Sequence, residues 1–177
     1  MIKQPRLGQF SWALYDWANS AFSAVIVTFV FATYFSQGIA TDPETGTAQW
    51  GWALTASGIA IALLSPVLGA IADAGGRRKP WVLVFTGIAV VGCFLLWFAR
   101  PEAQFVLYAL VIMALANVAF ELAGVFYNAM LPELVSRDYV GRLSGWAWGL
   151  GYAGGLACLI LALFAFVQTD EPLFGLD

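Results

Sequence analysis

The chain has 177 residues, of which 61% are hydrophobic, 16% aromatic and only 11% charged. An ordinary soluble domain carries about a quarter charged residues, so this composition excludes a water-exposed globule and indicates a membrane protein. The formal charge of −3 argues against a basic nucleic-acid-binding surface, and the lack of histidine removes the usual ligand of a catalytic zinc ion. We therefore expect no nucleic-acid partner, no metal site and no cofactor.

Five apolar stretches are long enough to cross a membrane as helices. A transmembrane helix needs about 20 predominantly apolar residues, and the continuous apolar runs exclude the alternating pattern of β-barrel strands. The sequence therefore predicts an all-α polytopic membrane protein. The predicted spans cover approximately residues 12–35, 50–72, 81–98, 105–130 and 143–167.

Short polar or helix-breaking segments separate the predicted spans. Residues 42–46 predict a polar turn, Gly75-Gly76 ends the second span, and Pro80 suits the first turn of the third. These joints are too short for a separate soluble domain, so residues 1–177 are predicted to form a single transmembrane domain. Because many transporters repeat units of three spans, five spans predict an incomplete N-terminal six-helix bundle with a sixth helix to follow.

The positions of lysine and arginine predict the orientation of the chain. Basic residues close to the spans are retained in the cytoplasm, and seven of the eight fall on the side that holds the N-terminus. The N-terminus is therefore predicted to be cytoplasmic and the tail after the fifth span external. The basic residues assigned to the cytoplasmic side are Lys3, Arg6, Arg77, Arg78, Lys79, Arg137 and Arg142.

The loop after the second span carries glycines, an aspartate and two basic residues at a defined spacing. Glycines permit a sharp turn and a close helix approach, and a carboxylate at a helix end accepts hydrogen bonds. The pattern resembles the signature loop of the major facilitator superfamily, although Ala74 replaces its first basic residue. The resemblance implies a conformational latch at the cytoplasmic face, and the alternative is a basic loop that only fixes topology. The matching residues are Gly69, Asp73, Gly76, Arg78 and Lys79.

Three further segments resemble the vacuole-effluxer family of major facilitators: YDWANSAF (15–22), FYNAMLPE (126–133) and GWAWGLGY (145–152). Fungal members of that family export amino acids from the vacuole. The resemblance implies the N-terminal part of a secondary active transporter of small polar solutes, with amino acids as candidate cargo and with ion or proton coupling. It also implies contact with membrane lipid, a missing C-terminal bundle as partner and a bacterial inner-membrane location.

Two other functional classes compete with a transporter. A non-transporting membrane sensor or scaffold subunit could use the same helices as an interaction surface. An enzyme is disfavoured, because the sequence has no histidine, no nucleophile with a neighbouring base and no phosphate-binding loop.

Polar side chains recur on one face of the first predicted span. The spacing of Asp16, Asn19, Ser20 and Ser23 places them along one side of a helix. A charge inside a span costs about 2.5–3.5 kcal/mol on insertion scales, which favours a role for Asp16 in a solute pathway. The alternative is that Asp16 lies near water or interacts with the N-terminus of its helix.

The fourth predicted span carries Asn117, Glu121 and Asn128 on one face. No basic residue in the five spans can pair with Glu121, so this side chain is protonated, faces a wet cavity or meets a partner on a missing helix. A glutamate retained only for helix packing is the alternative. Asp16, Asn19, Asn117, Glu121 and Asn128 are together the predicted substrate or proton pathway.

The fifth predicted span is rich in small and aromatic residues. Gly141, Gly145 and Gly149 recur every four residues, which predicts close helix packing in lipid. Further glycines on other faces could instead let the helix bend. Three aromatic residues of this span are candidates for a solute-stacking surface or for the interfacial belt: Trp146, Trp148 and Tyr152.

Overall fold

The computed structural model describes residues 6–168, the side chain of Val167 excepted. Lys3 and the predicted external tail lie outside the described residues. The described part of the chain is helical and contains no strand. Its α-helices are α1 (Arg6–Ala21), α2 (Val30–Tyr34), α3 (Pro43–Gly75), α4 (Lys79–Leu96), α5 (Val106–Ala129), α6 (Leu131–Leu134) and α7 (Arg137–Ala162).

Five helical stretches of the described chain are long and apolar enough to span a membrane, which confirms the predicted all-α polytopic class. A helix satisfies its own backbone hydrogen bonds, as the hydrocarbon core requires. Many large apolar side chains in these stretches are exposed, as expected where lipid is the solvent. The stretches are Arg6–Ile39, Pro43–Gly75, Lys79–Leu96, Ala103–Leu134 and Arg137–Phe166.

The first stretch is not a uniform α-helix. It widens into π-helical turns over Phe22–Thr28 and again over Phe35–Ile39. The amide of Phe29 donates to the carbonyl of Ala24, five residues earlier, at 3.0 Å. Such turns rotate the side chains that follow them and are frequent at functional sites.

The start of α3 corrects one sequence prediction. Residues 42–46 do not form a polar turn, because α3 already begins at Pro43. The Asp42 carboxylate accepts a hydrogen bond from the Thr45 amide at 2.9 Å, and proline is well suited to the first helical position. Turn-forming residues therefore act here as a helix cap.

The end of α3 agrees with the sequence. The helix stops at Gly75, and Gly76 takes a left-handed conformation with φ of 62°. Glycine adopts this conformation without the steric penalty of a Cβ, which makes it a common residue just beyond a helix end. Pro80 lies in the first turn of α4, as predicted.

The chain divides into two compact units. The first combines Met1–Val30 with Pro132–Asp177, and the second is Phe31–Leu131. In the described part of the first unit, α1 packs on α7; in the second, α5 packs on α3 and α4.

The second unit has an aromatic and aliphatic core around α5. The Phe126 ring stacks on Trp81 and Phe85 with centroid distances of 5.5 and 5.9 Å, which ties the start of α4 to the end of α5. Met113 and Leu122 are fully buried on the same helix. Dispersion and ring packing hold these helices together.

Close backbone approaches complete the second unit. The buried Ser57 hydroxyl lies 2.8 Å from the Ala53 carbonyl on its own helix and 3.3 Å from the Ala114 carbonyl on α5. At the contact of α4 with α5, an ideal Cβ on Gly92 would lie 2.6 Å from the Ala116 Cβ. Small side chains thus set the spacing between the helices, as is typical of membrane proteins.

The first unit depends on a closer approach between α1 and α7. An ideal Cβ on Gly154 would lie only 2.3 Å from the backbone oxygen of Trp17. The glycines that face α1 are Gly151, Gly154 and Gly155, and all three are buried. In the described part of the chain, a Cβ at Gly141, Gly145 or Gly149 would meet no atom within 4 Å. A packing role for that row stays a prediction.

Candidate functional site

A pocket of about 640 Å³ lies between α1, the following π-helical turn and α7 in the first unit. Its volume is within the range of about 300–1,000 Å³ that is typical of small-molecule sites. One wall is polar and comes from α1 and the π-helical turn, and the other is largely aromatic and aliphatic and comes from α7. The principal lining residues are Asp16, Ser20, Ser23, Thr28, Trp148 and Tyr152.

The polar wall is held close to the backbone of α7. The Ser20 hydroxyl donates to the Asp16 carbonyl at 2.8 Å, one helical turn back. An ideal Cβ on Gly151 would lie 2.7 Å from Ser20 Oγ and 2.8 Å from Asp16 Oδ2. Only glycine therefore leaves room at this position for the carboxylate and hydroxyl in their present places.

The aromatic wall comes from two residues one turn apart on α7. Trp148 and Tyr152 pack edge to face, with ring centroids 6.1 Å apart and ring planes at 71°. Both line the pocket, while Trp146 does not. The sequence allowed two roles for these aromatic residues, a solute-stacking surface or the interfacial belt. In the structure, Trp148 and Tyr152 line the same pocket as Asp16.

The structure brings together only part of the predicted first-span cluster. Asp16, Ser20 and Ser23 line the pocket, whereas Asn19 is not one of its lining residues. Asn19 lies on α1 and is partly exposed.

The second unit carries the other predicted pathway residues along α5. Asn117 is buried with 8% exposure, while Glu121 and Asn128 are exposed. Glu121 has no hydrogen bond or ion pair to any residue in the described range 6–168. Within the described chain, a carboxylate therefore stands unpaired on a membrane-length helix.

The signature loop forms a defined polar connection inside the second unit. The Arg78 guanidinium donates through Nε and Nη2 to Asp73 Oδ1, at 3.1 and 2.6 Å. Arg78 Nη1 also donates to the carbonyl of Ala129, the last residue of α5, at 2.9 Å. A cation at a helix C-terminus interacts favourably with the unpaired carbonyls there. Arg78 thus connects the end of α3 to the end of α5.

The remaining signature residues play simpler parts. Gly76 supplies the left-handed turn, and Lys79 is exposed at the start of α4. A Cβ on Gly69 would meet nothing within 4 Å in the described chain. No group of three or more potential metal-ligating side chains was found among residues 6–168.

Sequence reasoning missed the contacts that depend on a second helix. The Arg78 bond to the Ala129 carbonyl leaves no pattern in the sequence, because its acceptor is a backbone atom. Gly151 and Gly154 are among the further glycines of the fifth span, but nothing in one helix identifies which glycines face a neighbour. Their spacing of three residues was the available signal.

Comparison with known proteins agrees with these features. A family model described as "Vacuole effluxer Atg22 like" matches residues 52–140. An "uncharacterized MFS-type transporter", YxiO of Bacillus subtilis (strain 168), is 32% identical over 166 residues. The alignment covers 92% of this chain and 38% of that protein, so the chain spans well under half of this relative's length. No solved structure matches the chain. The chain therefore belongs to the Atg22-like vacuole effluxer family of the major facilitator superfamily.

Proposed function

We propose that this chain forms part of a secondary active transporter that moves small polar solutes across a bacterial inner membrane by alternating access. Amino acids and similar small polar metabolites are the candidate cargo. The observation that carries the proposal is the pocket in the first unit, where Asp16, Ser20 and Ser23 face a ligand-sized volume within membrane-length helices. Similarity to an MFS-type transporter over most of the chain supports it.

Glu121 is the proposed coupling residue. A charge inside a span is costly, and this glutamate has no ion-pair partner within the described residues. Binding a proton or a coupling cation offsets that cost, and the binding energy can shift the balance between inward-open and outward-open states. In this scheme Asn19, Asn117 and Asn128 donate or accept hydrogen bonds along the solute path.

A counterflow assay tests the proposal. The full-length protein is reconstituted in liposomes that are preloaded with one unlabelled amino acid at a time, and uptake of the labelled amino acid is followed with and without a pH gradient. We expect counterflow for at least one amino acid and faster uptake when a gradient is imposed. Absence of counterflow for every solute tested would favour the sensor or scaffold alternative.

A substitution at Glu121 tests its proposed role in coupling. Glu121→Gln should abolish gradient-driven uptake, because the amide cannot exchange a proton, while membrane insertion is preserved. Glu44→Gln is the matched control, since Glu44 is exposed in the first turn of α3. Gradient-driven uptake by Glu121→Gln at the normal rate would contradict the coupling role.

The loop that contains Gly69, Asp73, Gly76, Arg78 and Lys79 is the proposed conformational latch. The bonds from Arg78 to Asp73 and to the end of α5 support this, because one guanidinium holds the end of α3 and the end of α5 together. A second helical bundle, supplied by further length of the protein, is the proposed moving partner. Changes in the ratio of inward-open to outward-open protein in Arg78 variants, measured by spin-label distances, test the latch.

The proposed orientation places the N-terminus and the latch loop in the cytoplasm. Single cysteines introduced at Arg77 and at Glu102 should react with a membrane-impermeant thiol reagent from opposite sides of inverted vesicles. Labelling of both positions from the same side would overturn the orientation.

A further inference from the structure

The pocket of the first unit has an uneven charge distribution. Among the described residues that line it, Asp16 is the one charged residue, and none is a lysine or an arginine. The other polar side-chain groups in the described lining are neutral: hydroxyls, among them those of Ser20 and Ser23, and the Trp148 indole N–H. From the lining residues that the structure describes, a ligand in this pocket meets one carboxylate and no basic side chain.

The opposite wall adds a second feature that favours cations. The rings of Trp148 and Tyr152 line the pocket and are 63% and 73% exposed, so their faces or edges are open to a ligand. Tryptophan and tyrosine rings attract cations placed over their faces, and the attraction grows when water is excluded. An apolar ligand body also gains from contact with these rings and with the aliphatic lining residues Leu156 and Leu159.

From these observations we propose that the α1–α7 pocket binds a small organic ammonium ion, with its cationic nitrogen at Asp16 and its apolar body against Trp148 and Tyr152. A zwitterionic amino acid fits this pocket less well, because no described lining residue offers a cation to its carboxylate. A cationic ligand also neutralises a charge that is expensive within a membrane-length helix. Transport of the bound amine depends on the proposed function. Its binding does not, because binding is measured without any flux across a membrane.

Three probes that share a phenyl group but differ in charge test which ligand charge the pocket prefers. The full-length protein is placed in nanodiscs of phosphatidylglycerol, and binding of 2-phenylethylamine, phenylalanine and 3-phenylpropionate is measured by calorimetry. We expect the amine to bind at least tenfold more tightly than the zwitterion and the anion. Equal or tighter binding of phenylalanine, or no binding of the amine, would overturn the proposal.

Matched variants locate the site. Asp16→Asn should weaken binding of 2-phenylethylamine at least tenfold, and Trp148→Leu should weaken it severalfold. Asp138→Asn and Trp146→Leu are the controls, because both residues lie on α7, are exposed and do not line the pocket. Unchanged amine binding in Asp16→Asn would contradict the assignment. Thermal unfolding of each variant separates loss of binding from loss of folding.

A lipid headgroup offers the same ammonium chemistry as a free amine. Repeating the titration in nanodiscs that contain phosphatidylethanolamine distinguishes these sources: competition by the lipid assigns the pocket to a headgroup, and undiminished binding assigns it to a free amine. Amine binding without counterflow of any solute would contradict the proposed transport and leave this inference intact. Counterflow that is insensitive to Asp16→Asn, together with no amine binding, would support the proposed transport and contradict this inference.

Discussion

Each unit of this protein contains a pair of helices that meet at a glycine, but the glycine faces a different obstacle in each pair. In the α1–α7 pair, a Cβ on Gly154 would strike the backbone oxygen of Trp17 at 2.3 Å. In the α4–α5 pair, a Cβ on Gly92 would strike the Cβ of Ala116 at 2.6 Å. A side chain can be exchanged for a smaller one and a backbone atom cannot. The first contact is therefore fixed by the path of the main chain, and the second by the choice of two side chains.

The largest expected effect is at Gly154. Gly154→Ala should destabilise the protein by about 3 kcal/mol, at the upper end of overpacking costs, because α1 and α7 must move apart. The free energy of unfolding in mixed micelles measures this loss.

Gly149→Ala is the matched control on the same helix, since its Cβ would meet nothing within 4 Å in the described chain. Alanine is the better helix former, so stability should be kept or rise by up to about 1 kcal/mol. A clear loss at Gly149 would instead support the predicted packing row of Gly141, Gly145 and Gly149.

The second prediction tests whether the α4–α5 contact depends on side chains. Gly92→Ala alone should cost about 1–2 kcal/mol through overpacking against Ala116. Adding Ala116→Gly should recover much of that loss, because it removes the atom that Gly92→Ala strikes. The double-mutant cycle is read from unfolding free energies, with Gly87→Ala as the control that meets nothing. If the double variant recovers none of the lost unfolding free energy, the α4–α5 contact does not depend on side chains and does not differ in this respect from the α1–α7 contact.

The third prediction concerns the polar connection in the second unit, where Arg78 pairs with Asp73 and also bonds to the end of α5. Arg78→Gln should cost about 1 kcal/mol, since a charge-assisted bond to the Ala129 carbonyl is lost but the exposed pairing with Asp73 contributes little. Arg77→Gln is the control, because the neighbouring arginine is exposed. Equal losses in both variants would indicate a general charge effect.

The smallest expected effect is at the start of α3. The Thr45 amide, which donates to the Asp42 carboxylate, lowers the pKa of that group below its ordinary value. Because the folded-state pKa is the lower one, this contribution is complete above about pH 4. It is lost as the pH falls through the lowered pKa. Asp42→Asn should remove this part of the acid dependence of unfolding, whereas Glu44→Gln should not.

The sequence predicted the helices and their ends better than their contacts. Continuous apolar runs are sufficient to predict five membrane-length helices, because helix formation in lipid is a local requirement. Gly76 and Pro80 predicted the joint between α3 and α4 for equally local reasons. The segment 42–46 failed because residues that favour turns also favour helix caps, and only the bond from Thr45 to Asp42 distinguishes the two.

The sequence predicted which residue types form the candidate site, but not which helix faces come together to form it. The spacing of Asp16, Ser20 and Ser23 determined that they share a face of the first span, and the sequence offered Trp148 and Tyr152 as candidates for a stacking surface. Which faces meet was decided by tertiary structure. In water, an apolar stripe shows which side of a helix is buried; in lipid nearly every side is apolar, so hydropathy does not identify the contact.

The amino-acid sequence by itself therefore determined the class of this protein, its membrane-length helices and the residues of its signature loop. Tertiary structure alone decided that Gly154 and not Gly149 meets α1, that Asp16 shares a pocket with Trp148, and that Arg78 reaches the end of α5. The physical reason is that helix formation is satisfied within one segment. Close packing and backbone hydrogen bonds between segments instead depend on atoms that no single segment contains.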